Sequence, residues 1–251
     1  MLPYLDLAGI KINVFPIILV VAIFNCILVF VYSAKYDTYY FPQIKWSSLY
    51  CMMGAGIGGK LLYIITRGTS SNLNLFERLG GFVFYGGLIG AIIGLLIYSK
   101  LKWNRFFDLL DAYVSILPLG QAIGRIGCYL NGCCYGKQYT GFGAVSYIVD
   151  GREIQVFPTW FVESIFCFVL FISMFRISKK IYSGMYSAMY MLVYSLFRFV
   201  IEIFRGDSLR GVWFGFSTSQ YVSIGVACTG IAILIKSVKE KEDNLLIKGR
   251  N

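Results

Sequence analysis

The sequence predicts an all-α membrane protein with seven transmembrane helices. Of its 251 residues, 57% are hydrophobic and 14% are charged, whereas soluble domains carry about 25% charged residues. The apolar residues form stretches of about 20 residues, the length that crosses a bilayer as a helix. The seven stretches are residues 14–32, 47–66, 80–99, 109–129, 157–176, 185–204 and 218–236.

The distribution of Lys and Arg predicts which side of the membrane each end of the chain faces. With the N-terminus outside, 13 of the 23 Lys and Arg residues fall in inner segments, seven in outer segments and three within helices. Because basic residues accumulate in cytoplasmic segments, this bias favours N-out and C-in. The net charge of +10 is then explained by orientation and by contact with anionic lipid, and it does not indicate nucleic-acid binding.

The chain shows no internal repeat or linker, so residues 1–251 are expected to form a single polytopic membrane domain. Within it, residues 237–251 are rich in charge and are expected to form a cytoplasmic tail. The longest connection, residues 137–156, falls on the predicted outer side. We expect it to fold as an extracytoplasmic loop over a functional site.

Glycine is concentrated in the second and third predicted helices. Gly86, Gly90 and Gly94 form a stripe of small residues at four-residue spacing. Such stripes allow two membrane helices to approach closely, and we favour this interpretation for the stripe. At Gly86 and Gly87, which follow Tyr85, we also expect the backbone to be exposed beside a ligand.

The sixth predicted helix carries three ionisable residues on one face. Spacings of four and three place Arg198, Glu202 and Arg205 on the same side. A structural ion pair between two helices is one interpretation. However, two arginines and one carboxylate leave a positive charge, and charges inside a bilayer persist where they face a polar cavity. The surplus favours an anionic partner, and the planar guanidinium suits phosphate.

A glycine-rich segment, residues 120–136, surrounds Arg125. We expect its five glycines to break or loosen the fourth helix. Irregular backbone at membrane depth is tolerated where it lines a cavity or is buried in protein. Backbone N–H groups freed there, together with Arg125, would form a cradle for an oxyanion or a phosphate.

The chain contains seven cysteines and no histidine, which excludes histidine-dependent zinc sites and a histidine general base. Cys128, Cys133 and Cys134 have the spacing C-x4-C-C, which supplies no fourth ligand for zinc. We therefore expect no metal site and no cofactor. A disulfide is an alternative, although adjacent cysteines are awkward to bridge. The favoured interpretation is small polar packing around a cleft.

Five motifs resemble those of the bacterial prolipoprotein diacylglyceryl transferases. The segment GRIGCYLNGCCYG at residues 124–136 is similar to that family's signature, GRxGNFxNGExxG. The other four are GGKLLY at 58–63, GGFVFYGGLIG at 80–90, FPTWFVE at 157–163 and YSLFRFVIEIFRGD at 194–207. They resemble the family's GxRxxY, GGxxFHGGLIG, HPTQLYE and YxxxRFxxExxRxD, and they occur in the family's order.

The resemblance implies an enzyme that transfers the diacylglyceryl group of phosphatidylglycerol to the lipobox cysteine of a preprolipoprotein, forming a thioether and releasing glycerol phosphate. It implies a multi-pass protein of the bacterial plasma (inner) membrane. The implied partners are phosphatidylglycerol, preprolipoprotein signal peptides and the lipid bilayer. Two alternatives stay open: a relative that uses the same donor with another acceptor, and a non-enzymatic lipid-binding or transport protein with the same fold.

The resemblance also implies roles for individual residues. The predicted catalytic residues are Tyr85, Arg125, Arg198 and Glu202. The predicted substrate-binding residues are Lys60, Gly86, Gly87, Asn131, Glu163 and Arg205. The arginines would hold the phosphate while Glu202 keeps them in register, and Asn131 would orient the polar head of the substrate. Arg205, near the outer end of its helix, is expected to meet the donor before Arg198.

Several functional positions depart from the family pattern. The family's histidine is Tyr85 here, its second-helix arginine is Lys60, and the asparagine and glutamate of its signature are Cys128 and Cys133. A phenol with a pKa of about 10 is a weak base at neutral pH. Tyr85 is therefore expected to orient a substrate by hydrogen bonding rather than to accept a proton.

Overall fold

The computed structural model describes residues 4–7, 10–13, 17–18, 20–21, 23–27, 41–67, 83–103, 105–149, 152–176, 183–206 and 212–248. Most of these residues are helical. Six of their segments are long and apolar enough to span a membrane. The six are Gln43–Thr66, Tyr85–Lys102, Phe106–Leu130, Thr159–Arg176, Met185–Phe204 and Thr218–Lys241. They support the predicted membrane class.

The first predicted span, residues 14–32, lies partly outside the described residues. Within it, residues 17–18, 20–21 and 23–27 are helical. The seventh span therefore stays a prediction.

Seven α-helices have defined bounds. They are α1 (Phe41–Arg67), α2 (Phe84–Tyr98), α3 (Phe106–Val114), α4 (Leu117–Leu130), α5 (Thr159–Arg176), α6 (Met185–Ile201) and α7 (Thr218–Lys248). A π-helical turn, Ser99–Trp103, follows α2, and a 3-10 turn, Glu202–Phe204, follows α6. Helix α7 thus continues through most of the region expected to be a charged tail.

The expectation that glycines interrupt the fourth span is wrong between residues 117 and 130. Helix α4 runs unbroken through Gly120, Gly124 and Gly127, because a backbone in an apolar medium has no water to replace a lost helical hydrogen bond. The interruption comes earlier, at residues 115–116, where α3 gives way to α4. Pro118 lies in the first turn of α4, where its missing N–H costs nothing.

The described residues include three antiparallel hairpins, and the all-α prediction did not include them. They are β1 (Tyr4–Leu7) with β2 (Ile10–Asn13), β3 (Val145–Val149) with β4 (Arg152–Val156), and β5 (Val212–Trp213) with β6 (Phe216–Ser217). The β3–β4 hairpin forms most of the long connection expected to be a loop. Its β-branched and aromatic residues suit a strand, and Tyr147 and Val156 are buried.

The chain divides into two compact units, residues 32–110 and residues 1–31 with 111–251. In the smaller unit, α1 and α2 pack closely through glycine. A Cβ atom at Gly90 would overlap the carbonyl oxygen of Gly54, and one at Gly86 would overlap that of Gly58. The predicted packing role of the glycine stripe is confirmed. The Tyr98 hydroxyl adds a 2.7 Å hydrogen bond to Oε1 of Gln43.

In the larger unit, polar side chains fix the ends of the helices. The carboxylate of Asp111 accepts hydrogen bonds from the backbone N–H groups of Gly184 and Ser187, at 2.7 and 2.8 Å, and from the Ser187 hydroxyl at 2.6 Å. It therefore caps the N-terminus of α6 from another helix, where the helix dipole favours a negative charge. Stacked rings of Phe166 and Phe197, 3.7 Å apart, join α5 to α6.

Candidate active site

Five charged side chains converge inside the larger unit. Arg125 projects from α4, Glu163 from α5 and Arg198 from α6, while Glu202 and Arg205 follow α6. Glu163 lies at the centre, with only 2% of its side chain exposed. Its Oε2 is 2.5 Å from Nε of Arg125, and its Oε1 is 3.1 Å from Nη1 of Arg198 and 3.6 Å from Nη1 of Arg205. One carboxylate thus contacts all three arginines.

Glu202 forms a second junction in the cluster. Its Oε2 is 2.8 Å from Nη2 of Arg198 and 4.0 Å from Nε of Arg205. Its Oε1 accepts a 2.9 Å hydrogen bond from the Ser217 hydroxyl, and Nη2 of Arg198 donates to Oγ of Ser219 at 3.3 Å. These contacts fit the predicted role of Glu202 in holding the arginines in register.

The cluster carries a net positive charge. Among the residues that the structure describes, three arginines face two carboxylates, which is a surplus of one positive charge. The exposed fractions of the arginine side chains are 18% for Arg125, 11% for Arg198 and 3% for Arg205. Arg125 is therefore the most accessible of the three, and Arg205 is the least.

Arg205 is positioned by backbone pairing rather than by its helix. Helix α6 ends at Ile201, and the chain passes through the 3-10 turn into extended backbone at Arg205. There the N–H of Lys137 donates to the carbonyl of Phe204 at 2.8 Å, and the N–H of Gly206 donates to that of Tyr135 at 3.2 Å. This pairing buries the Arg205 side chain beside Glu163.

The close fit of this pairing explains a glycine of the signature motif. A Cβ atom on Gly136 would overlap the carbonyl oxygen of Phe157. A Cβ atom on Gly206 would in turn overlap the carbonyl oxygen of Gly136. Glycine at both positions therefore lets three chain segments meet beside the arginines.

The three cysteines of the signature segment lie next to the arginines. Cys128 is in the last turns of α4, and Cys133 and Cys134 are in the turn that follows. Nη1 of Arg125 is 4.0 Å from Sγ of Cys134. The Cys133 thiol donates a hydrogen bond of 3.4 Å to the carbonyl of Cys128. The end of α4 and the turn after it thus place three thiols beside the arginines.

The remaining predicted site residues are Asn131 in the larger unit and Lys60, Tyr85, Gly86 and Gly87 in the smaller unit. Asn131 caps the C-terminus of α4 and is exposed. In the smaller unit, Lys60 lies on α1 with its Nζ 5.4 Å from the centre of the Tyr63 ring. Tyr85 is exposed on α2, and Gly86 and Gly87 are buried. Asp207, also in the last motif, lies outside the described residues.

Sequence reasoning did not anticipate two features of the site. One is the central place of Glu163, whose only signal was its position at the end of the FPTWFVE motif. The other is the pair of hydroxyls on Ser217 and Ser219, which precede or begin α7 and reach the cluster from a fourth element. Neither shows a periodic pattern that would predict it.

Comparison with known proteins agrees with the motifs. The family model for prolipoprotein diacylglyceryl transferase matches residues 3–236. A phosphatidylglycerol–prolipoprotein diacylglyceryl transferase of Clostridium tetani is 33% identical over 235 residues, which cover 91% of this chain and 94% of that protein. A second such transferase, from Clostridium perfringens, is 33% identical over 237 residues, which cover 91% of this chain and 92% of that protein. A third, from Clostridioides difficile, is 41% identical over 138 residues, which cover 53% of this chain and 52% of that protein. This chain belongs to the prolipoprotein diacylglyceryl transferase family.

Proposed function

We propose that this chain transfers the diacylglyceryl group of phosphatidylglycerol to the lipobox cysteine of preprolipoproteins. Relatives that match over nearly the whole chain carry the name phosphatidylglycerol–prolipoprotein diacylglyceryl transferase. The observation that carries the proposal is the buried cluster of three arginines and two carboxylates. Its surplus positive charge matches an anionic phosphate, and guanidinium groups bind phosphate through paired N–H donors.

The reaction requires one bond to break and one to form. The acceptor sulfur attacks the glyceryl carbon that bears the phosphate, a C–S bond forms, and the C–O bond to phosphate breaks. Glycerol phosphate leaves with the electron pair, and the thiol proton passes to water. Negative charge therefore builds up on the phosphate, where preorganised cations lower the barrier most.

The cluster supports a division of roles among the arginines. Arg125 and Arg198 are the more exposed pair and would contact the phosphate. Arg205 is buried against Glu163 and Glu202 and would act as a positioning residue. Glu163 and Glu202 keep the guanidinium groups oriented, so that little reorganisation is needed when the donor binds.

Two of the predicted residues, Tyr85 and Lys60, stand where the family has a histidine and an arginine. Tyr85 would orient a substrate through its hydroxyl, and Lys60 would supply a positive charge for the lipid headgroup. Asn131 would contact the polar head of the substrate. Gly86 and Gly87 are buried, and Gly86 packs against Gly58 of α1, so the expectation of backbone exposed beside a ligand at these two glycines is corrected.

We also propose seven membrane spans in the bacterial plasma membrane, with the N-terminus outside and the C-terminus in the cytoplasm. The Lys and Arg distribution supports this orientation. It would place the β3–β4 hairpin and the arginine cluster towards the outer face, where signal peptides emerge after translocation.

The test is transfer of a labelled diacylglyceryl group from phosphatidylglycerol to a synthetic lipobox peptide by the purified protein. We expect a thioether product on the cysteine peptide and none on a peptide with serine at that position. Phospholipid consumed without labelling of the lipobox peptide would instead indicate another acceptor. Phospholipid that binds but is never consumed would indicate a lipid-binding or transport protein. Complementation of a strain depleted of its own diacylglyceryl transferase provides the cellular counterpart.

A further inference from the structure

The sulfur atoms of Cys128, Cys133 and Cys134 form a compact triangle. All three Sγ atoms lie within 4.8 Å of one another, and each cysteine is half-buried. A tetrahedral zinc ion with Zn–S bonds of about 2.3 Å holds its sulfurs about 3.8 Å apart. Small side-chain rotations towards the centre would therefore bring the three sulfurs to ligand distance. The sequence spacing C-x4-C-C does not reveal this convergence.

The backbone that presents these sulfurs is held in a costly conformation. Cys134 has a positive φ of 62°, which is uncommon for a residue with a side chain. The Thr159 hydroxyl donates a 2.8 Å hydrogen bond to the carbonyl of Cys134. This bond anchors the turn to the start of α5 and fixes the direction in which Sγ points.

A buried phenol provides independent evidence for a ligand at this place. Tyr147 is almost fully buried, and its hydroxyl has no hydrogen-bond partner among the residues that the structure describes. Its ring packs against Tyr129 and Tyr135. A polar atom is thus buried without a hydrogen-bond partner among the described residues, and its ring contacts Tyr135, which follows Cys134 in the chain.

The charge of the neighbouring cluster matches a thiolate-bound divalent ion. Three arginines against two carboxylates leave one positive charge. Three thiolates and one Zn²⁺ together carry one negative charge, which cationic side chains beside the site stabilise. Arg125 joins them, because it contacts both Glu163 and Sγ of Cys134.

We propose that Cys128, Cys133 and Cys134 bind one zinc ion, whose fourth position takes the thiolate of the acceptor cysteine. The identity of this fourth ligand rests on the proposed function, whereas the tricysteine site does not. Zinc sites with three protein ligands and an open position are typical of catalysis rather than of structure. A thiol that coordinates zinc gives up its proton.

This site would supply what the chain lacks for its chemistry. The sequence has no histidine to act as a base towards the acceptor thiol. When the acceptor thiol binds the metal, its proton is released to water and its sulfur is held as a thiolate. That sulfur then forms the C–S bond as the C–O bond to phosphate breaks, and glycerol phosphate carries away the electron pair. The metal keeps its oxidation state, and the neighbouring arginines hold the phosphate.

The test uses the full-length protein purified in detergent with a reductant and without chelator. We expect about one zinc ion per chain by elemental mass spectrometry. After a chelator has removed the zinc, the protein should bind one Co²⁺ ion per chain. The bound cobalt should show a sulfur-to-cobalt charge-transfer band in the near ultraviolet. Cys128→Ser, Cys133→Ser and Cys134→Ser should each lose most of that band. Cys228→Ser is the matched control, because Cys228 is exposed on α7 and should leave the band unchanged.

The fourth position is tested by adding a lipobox peptide to the cobalt-loaded protein. A cysteine peptide should shift the cobalt bands, and a serine peptide should not. The tricysteine site is overturned if the parent protein gives no charge-transfer band, if a disulfide joins two of the three cysteines, or if Cys133→Ser keeps the full band. An unshifted spectrum with the cysteine peptide overturns the fourth-ligand assignment. A full band in a protein without transferase activity supports the metal site and contradicts the proposed function instead.

Discussion

Arg125 and Glu163 form an ion pair of 2.5 Å between Nε and Oε2, joining α4 to α5. The same carboxylate contacts Arg198 and Arg205 through its other oxygen. Glu163 is therefore the group on which the orientation of all three arginines depends. Removing one partner of a buried ion pair leaves an uncompensated charge, which typically destabilises a fold by about 3–5 kcal/mol.

We expect Glu163→Gln to lower both stability and activity. Glutamine keeps the shape but removes the negative charge, so three arginines would face Glu202 alone. Thermal unfolding in detergent should shift to a clearly lower midpoint, and transfer should fall below detection. Glu153→Gln is the control, because Glu153 is exposed on β4. An unchanged unfolding midpoint for Glu163→Gln would show that the cluster is not held together by this carboxylate.

We expect Arg198→Lys to retain the fold and lose most of the rate. Lysine keeps the charge but cannot bridge Glu163 and Glu202 or present paired N–H donors to a phosphate. Charge-assisted hydrogen bonds contribute about 1.5–3 kcal/mol each, so the rate should fall about 10- to 100-fold. The rate is measured as diacylglyceryl transfer to the lipobox peptide. Arg152→Lys is the control, because Arg152 is exposed on β4. Activity equal to that of the parent would favour a purely structural role for the charged face.

Tyr85→Phe should reduce turnover, whereas Tyr85→His should retain it. Tyr85 occupies the position of the family's histidine, and 46% of the residue is exposed on α2. Tyr139→Phe, which changes another partly exposed tyrosine, controls for the loss of a hydroxyl as such. If Tyr85→Phe turns over as fast as the parent protein, the residue has only a packing role.

The sequence predicts the charged cluster in part, and the reason for the limit is physical. Helical spacing correctly puts Arg198 and Glu202 together, because α6 is regular up to Ile201. Arg205 also lies within 4.0 Å of Glu202, as the spacing predicts, but it follows a 3-10 turn, and its backbone pairing with residues 135–137 could not be predicted. Pairing between distant segments leaves no periodic trace in the sequence.

The glycines illustrate the same limit. Their four-residue spacing predicts the close packing of α1 and α2, since a helix repeats about every 3.6 residues. In α4, however, abundance of glycine is a poor guide to helix breaks, because the apolar medium enforces backbone hydrogen bonding. The triangle of cysteine sulfurs escapes prediction for another reason. It depends on the positive φ of Cys134, a conformation that the residue type does not indicate.

The proposed orientation can be tested with a dual topology reporter fused at Asn251. Because basic residues predominate in the segments assigned to the inside, we expect the reporter to be active in its cytoplasmic mode only. A second fusion within the β3–β4 hairpin should give the opposite result. A reporter at Asn251 that is active on the outer side of the membrane would contradict the proposed cytoplasmic C-terminus.

Two glycines of α1 provide a matched pair for the last prediction. A Cβ atom at Gly54 would overlap the carbonyl oxygen of Gly90 on α2, whereas one at Gly56, two residues along the same helix, meets nothing within 4 Å. Because the obstacle at Gly54 is backbone, it can be relieved only by moving the two helices apart. Gly54→Ala should therefore lower the thermal unfolding midpoint. Gly56→Ala should leave it unchanged or raise it, since alanine stabilises a helix over glycine by about 0.5–1 kcal/mol. Equal midpoints for the two variants would mean that α1 and α2 do not pack at the distance that this glycine contact requires.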